Sequence, residues 1–178
     1  MRQYLTFELE GRRYGVRVEH VNSVLDPQAI TPLPRGSTLV TGLTNVRGNV
    51  VPVFDPRETL SRTRVDEFRS TRQGAAAMTA DAHAAMPKID DEEGGILIFE
   101  VENGTLLPFI GMQADRIGKV VNLEETEISA VPDFLPDNAA RFFEGFCFIG
   151  ETRHSIIDLR ELASKDSLFN VAKGGQRA

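Results

Sequence analysis

An internal echo limits what this chain can fold into more than any single motif does. LTFELEG at residues 5–11 is answered by LIFEVENG at residues 97–104, each an alternating apolar run that closes on a turn residue. Gly42 precedes Asp55 by thirteen positions, and Gly145 precedes Asp158 by the same thirteen. Each aspartate opens D-x-R-E: Asp55-Pro56-Arg57-Glu58 and Asp158-Leu159-Arg160-Glu161. A Pro-marked connection precedes each anchor, ITPLPRG in one half and ISAVPDFLP in the other. Turn residues recur by chance in any β protein, but here both order and spacing agree, which favours duplication of one short β module. Such a module is too small to bury its own apolar faces well, so two copies are expected to pack together.

Strands are expected near residues 3–9, 13–17, 38–46, 49–54, 96–101, 105–112, 116–121, 142–149 and 153–158. Strands this short, joined by Gly and Pro turns, predict a mainly β fold of small barrels rather than a parallel sheet with crossover helices. Val18, Val21 and Val24 or Leu25 stand at helical spacing, which predicts a short amphipathic helix after the second strand. Asp158 is placed to cap a C-terminal helix whose stripe is Leu159, Leu162, Ala163 and Leu168 or Phe169. A single domain is expected over residues 1–172, built of subdomains at about 1–60 and 96–172 that are free to exchange strands. Residues 61–95 break the pattern with an Arg-rich start, an alanine-rich middle and an acidic end; they read as a mobile insertion with a transient helix over 75–86. Residues 173–178 read as a disordered tail.

Charge and composition remove several function classes. The chain has 178 residues and a net charge of −6, so it offers no basic field to gather the phosphates of nucleic acid or anionic lipid. No apolar run approaches the roughly 20 residues that cross a bilayer, and the N-terminus enters a strand pattern without a secretory core. No direct membrane insertion is expected, and the reading is a cytoplasmic protein. The lone Cys147 has no partner for an internal disulfide, in keeping with a reducing compartment.

Material for catalysis is scarce. Cys147, His154 and Asp158 are the only trio whose types supply a nucleophile, a base and an orienter, and they define a remote alternative, a small thiol hydrolase using Cys147 and His154. In FCFIG, however, Cys147 sits between two phenylalanines mid-strand, where a thiol behaves as a small hydrophobe. His20 and His83 lack metal-site spacing, and the acidic run at residues 90–93 lacks the alternating ligands and central glycine of a calcium loop. Phosphate-cradling loops and nucleophile elbows are absent from the sequence. No enzyme activity, metal or cofactor is expected.

Residues 43–55, LTNVRGNVVPVFD, hold two apolar runs separated by Arg47, Gly48 and Asn49. Gly48-Asn49 is read as the tight turn, since both residue types tolerate positive φ. Arg47 beside it presents five fixed donors, suited to a carboxylate or to helix-end carbonyls on a partner, with Asn45 placed to position that partner's backbone. A solvated arginine, or one tied to Asp55, fits the spacing equally well.

The stretch from Gly42 to Asp55 closely resembles the G-x-x-N-x-R-G-x-x-[VI]-P-[VI]-x-D signature of the chemotaxis coupling-protein (CheW-like) family, with Arg47 as its arginine. LTFELEGRRYGVRVEHVNSVL resembles the family's opening strand pair and helix, ITPLP its connection, and GMQADRIGKVVNL its second-half strand pair. The resemblance implies two packed five-stranded SH3-like barrels. It also implies a non-catalytic adaptor joining the cytoplasmic tips of chemoreceptors to the regulatory coupling domain of a sensor histidine kinase, recruited to membrane-associated receptor arrays. On that reading Asn45, Arg47 and Gly48 touch a partner, and Val21, Val24, Ile117 and Val120 line an apolar groove for a receptor helix; core packing is the competing role for each of the four. An adaptor of a pilus, twitching-motility or surface-sensing system is the alternative of the same class. Ser23 stands where many members carry an acid, Pro56 replaces the usual leucine, the insertion is long, and Gly150-Glu151-Thr152 replaces the Arg-Gly turn in the second half, so one half alone bears the arginine.

Overall fold

The computed structural model describes residues 1–33, 39–62, 93–100, 108–133, 135 and 137–164. In chain order the elements are β1 (Arg2–Leu9), β2 (Arg12–Arg17), a 3-10 turn (Val18–His20), β3 (Val21–Leu25), β4 (Thr31–Pro32), β5 (Val40–Val46), β6 (Asn49–Phe54) and α1 (Arg57–Arg62). They continue with β7 (Glu93–Glu100), β8 (Phe109–Leu123), a 3-10 turn (Glu125–Glu127), α2 (Asp137–Ala140), β9 (Phe143–Ile149), β10 (Thr152–Ile157) and α3 (Leu159–Leu162). The fold is mainly β with few helices, in one mixed ten-stranded sheet.

Pairing within this sheet repeats and is reciprocal. β1 pairs antiparallel with β2, and β7 with the start of β8. The third strand of each half then joins the first strand of the other: β3 pairs with β7, and the end of β8 pairs with β1. Likewise the last strand of each half lies parallel to the second strand of the other, β6 on β8 through Val53↔Gly111 and Phe54↔Met112, and β10 on β2 through Ser155↔Tyr14 and Ile156↔Gly15. Strands are therefore exchanged between the halves.

This exchange decides where the core lies. Residues on one face of β1 and β7 fill separate clusters, Tyr4 with Leu123, Cys147 and Ile156, and Ile96 and Ile98 with Val51 and Val53. Opposite faces of the same two strands, with Leu5, Phe7, Leu97 and Phe99, share one larger cluster between the halves. Both strands are thus buried on both faces, which fits the continuous apolar run Ile96–Phe99 in β7 and the burial of Thr6 in β1. The edge-to-face pair Phe54–Phe99, with centroids 6.1 Å apart, belongs to this central cluster.

The anchors of the echo are backbone requirements. A Cβ on Gly42 would collide with the carbonyl of Thr31 and a methyl of Ile30, and a Cβ on Gly145 would collide with the carbonyl of Ser129 and a methyl of Ile128. The two glycines hold equivalent crossings of the chain over itself. Both aspartates act at the start of a helix: Asp158 Oδ1 accepts the N–H of Arg160 at 2.9 Å and of Glu161 at 3.3 Å, and Asp55 Oδ1 accepts that of Arg57 at 3.0 Å. Leu159, Leu162 and Ala163 are buried as the expected stripe requires.

Three expectations need correction. The helix expected over residues 18–25 is a single 3-10 turn followed by strand β3, where burial alternates with period two from Val21 to Leu25 and the β-branched valines suit a pleated surface. The two strands expected at 105–112 and 116–121 are one fifteen-residue strand, because β7 pairs with β8 as far as Arg116 and β1 takes over from that residue. The stretch expected as a 61–95 insertion includes the end of α1 and the start of β7. The helix expected at 75–86, the remainder of that insertion, Leu168, Phe169 and the tail lie outside the described residues.

Replacing Gly42 or Gly145 by alanine is expected to lower the unfolding free energy by about 2 kcal/mol each, through forced backbone displacement. Denaturant titration of the two variants checks this, and comparable losses at both sites are the expected sign of their equivalence.

Candidate partner-binding surface

The β5–β6 hairpin ends in a two-residue turn whose centre differs from the expected one. Val46 pairs with Asn49, so Arg47 and Gly48 form the turn, with φ of 50° and 88°. Both positive values fit a type I′ turn, whose twist matches the flanking strands. A left-handed arginine costs about 1–2 kcal/mol relative to a relaxed backbone, so something must hold it. Asn45 does so: its Oδ1 accepts the N–H of Gly48 at 2.8 Å. The amide oxygen of Asn45 is thereby committed within the turn as a brace for Arg47, while the side chain stays exposed at the hairpin tip.

Arg47 itself is exposed, as are Asn45, Gly48, Asn49 and Val50, the last at 53 %. Among the described residues Arg47 makes no bond to Asp55, whose Oδ2 accepts from Arg57 Nη1 at 2.6 Å. Ser23, standing where the family often has an acid, is half-buried on β3. Among the described residues no ion pair restrains the Arg47 guanidinium, whose five donors face solvent.

Val21, Val24, Ile117 and Val120 form two equivalent pairs. Val21 on β3 faces Phe99, and Ile117 on β8 faces Phe7; both are half-buried against the central core. Val24 faces Leu97 and Val120 faces Leu5, and these two are exposed at 44 % and 49 %. Packing therefore accounts for Val21 and Ile117, while Val24 and Val120 remain as apolar surface on two different strands. Sequence reasoning missed Phe148, which it assigned to the surroundings of Cys147. Phe148 lies on the outer face of β9, 59 % exposed and opposite Arg153, while Cys147 beside it points inward. FEGFCFI gives no alternation to mark it, since Phe146, two positions earlier, is buried.

The candidate nucleophile and base are cross-strand partners, Cys147↔His154, and both are buried. Burial pushes the Cys147 thiol up, helped by the charge of Glu127. Burial pushes the His154 imidazole down and the charge of Arg13 adds to this, against an opposing hydrogen bond between Nδ1 and the Thr152 carbonyl oxygen at 3.0 Å. Both shifts favour neutral forms, the reverse of the thiolate–imidazolium pair that a cysteine nucleophile uses. Asp158 is occupied at the start of α3. Among the described residues no cluster of three His, Cys, Asp or Glu side chains gathers to hold a metal ion.

These environments have measurable consequences. Asn45→Ala is expected to cost about 1 kcal/mol and to loosen the turn, read as faster exchange of the Gly48 amide. Because the fold holds His154 below its ordinary value near 6.5, the unfolded chain takes up the proton first as pH falls. Stability is therefore complete above about pH 6.5 and declines below it until the folded imidazole also protonates; denaturant midpoints from about pH 8 to 5 should show this, and His154→Val should remove that share of the slope.

Comparison with known proteins agrees with the fold. The chemotaxis protein CheW of Treponema pallidum is 23 % identical over 170 residues, which cover 96 % of this chain and 86 % of that protein. Protein FrzA of Myxococcus xanthus is 38 % identical over a shorter stretch of 60 residues, 34 % of this chain and 38 % of that one. The crystal structure of the scaffolding protein TtCheW from Thermoanaerobacter tengcongensis superposes with a TM-score of 0.65 at 22 % identity, covering 93 % of this chain and 90 % of that one, which establishes likeness of fold. Residues 3–167 match the CheW-like domain, and the chain belongs to that family.

Proposed function

We propose that this protein is a non-catalytic scaffold of chemotaxis signalling that couples chemoreceptors to a sensor histidine kinase. The observation that carries the reading is Arg47: a long cation braced in a strained turn at an exposed hairpin tip, with no described ion pair to restrain it. Residues held at such a conformational cost cluster at functional sites, and arginine forks are favoured anchors at protein interfaces. The partner for this tip is the kinase regulatory domain or the receptor tip, through a carboxylate or helix-end carbonyls. Val24 and Val120, with the flanks of Val21 and Ile117, supply apolar surface for a receptor helix.

In this reading the family domain consists of two SH3-like barrels. One is completed by β1, β2, β9, β10 and the end of β8, the other by β3 to β7 and the start of β8. Two separate docking surfaces on one rigid body let weak contacts add through multivalency. The site of action is the cytoplasm, at membrane-associated receptor arrays; among the described residues no helix is long and apolar enough to cross a membrane. The same surfaces serve a pilus or surface-motility pathway equally, and the identity of the receptor sets which one operates.

Arg47→Ala is expected to weaken binding to a kinase coupling domain or to receptor-bearing membranes by about 2 kcal/mol while leaving the unfolding midpoint unchanged. Pull-down with the coupling domain and co-sedimentation with receptor membranes measure it. A folded variant that binds both partners at full strength would remove Arg47 from this role.

A further inference from the structure

The β5–β6 hairpin is attached to the rest of the sheet by little backbone. β6 meets β8 in only two register pairs, and on its far side β5 carries only the two-residue strand β4. A lever whose tip must present Arg47 in a fixed direction needs a further hold at its base. That hold is found where β6 leaves the sheet. Arg57, two residues beyond Asp55, forks its guanidinium between two carboxylates: Nη1 donates to Asp55 Oδ2 at 2.6 Å and Nη2 donates to Asp115 Oδ1. Asp115 lies in β8 at the point where that strand passes from β7 to β1. Its second oxygen, Oδ2, accepts the N–H of Glu10 at 2.7 Å, in the β1–β2 turn where Glu10 has φ of 50°. One carboxylate thus joins three segments: the base of the hairpin, the crossing strand and the strained turn between β1 and β2.

We propose that Asp115 is a positioning residue for the Arg47 hairpin, acting through Arg57. This rests on the reading of that hairpin as a docking element. The β9–β10 hairpin is tied by different groups, Arg13 Nη1 to Thr152 Oγ1 at 2.7 Å and Arg17 to Glu144 at 2.7 Å. Breaking the Asp115 link therefore affects one hairpin and spares its counterpart. Partly exposed ion pairs contribute little to global stability, so the effect belongs in local order and not in the unfolding midpoint.

The test compares amide exchange in β6 with that in β10 for the full chain, for Asp115→Asn, for Arg57→Gln and for the double variant. The side-chain amide introduced by Asp115→Asn keeps an acceptor for the Glu10 N–H while losing the charge, and Arg57→Gln leaves that acceptor untouched but also removes the pair with Asp55, so the Asp115 link is what the two variants share. Either single change is expected to accelerate β6 exchange about tenfold relative to β10, the double change no more than the larger single one, as for two groups acting through one contact. Asp115→Glu is expected to restore the slower rate. Binding to a kinase coupling domain should fall with the loosening, and adding Arg47→Ala to Asp115→Asn should cost less than it does alone. Unchanged β6 exchange relative to β10, or fully independent effects of the two changes, would overturn the link. Faster β6 exchange with binding unaffected would keep the link and overturn the docking role of the hairpin.

Discussion

Burial of β1 and β7 on both faces is the constraint on which the rest of the structure depends. Each strand contributes one set of side chains to its own cluster and the other set to a core shared by the two halves. Removing Leu5, Phe7, Leu97 and Phe99 from water requires both halves at once, so neither is a complete unit. At roughly 25 cal/mol per Å² of apolar area, burying one such side chain contributes about 1.5–3 kcal/mol, comparable to a large fraction of a domain's net stability. Reciprocal exchange follows from that need: the third and last strands of each half close over the first two of the other.

The strand pairings recur in both halves while the positions outside that frame differ. Counting thirteen residues from each glycine anchor to its aspartate sets Arg47 against Gly150, Thr44 against Cys147 and Val51 against His154. One hairpin tip became a braced arginine, while its counterpart turns on Gly150 at φ 62°. In one cluster the interior kept valine at position 51, while the other half accepted an imidazole that burial holds neutral. The two hairpin tips thereby present different chemistry from equivalent positions of one frame.

Much of this was legible in the chain because it rests on backbone demands that only certain residues meet. Gly42 and Gly145 mark crossings too close for a side chain, and Asp55 and Asp158 mark helix starts; the echo could be read from those four positions. Strand β3 was not legible, because VNSVL satisfies both a period of two and a period near three, and only pairing with β7 decides between them. The turn centre lies one residue from the expected one because Gly48 and Asn49 tolerate positive φ more readily than Arg47, and the brace from Asn45 overrides that preference. Arg57 and Asp115 stand 58 residues apart, and nothing local marks them as partners. Phe148 was hidden by its apolar neighbours, and the buried Phe146 two positions earlier breaks the alternation that would have marked it.

The most direct test of the account is a denaturant titration followed residue by residue, comparing amides of β1 and β2 with those of β5 to β7 and β9 to β10. Interlocked halves sharing one core predict a single midpoint and a single slope for all of them. Two separate transitions, whether divided between residues 1–62 and 93–164 or between the two exchanged strand sets, would contradict it.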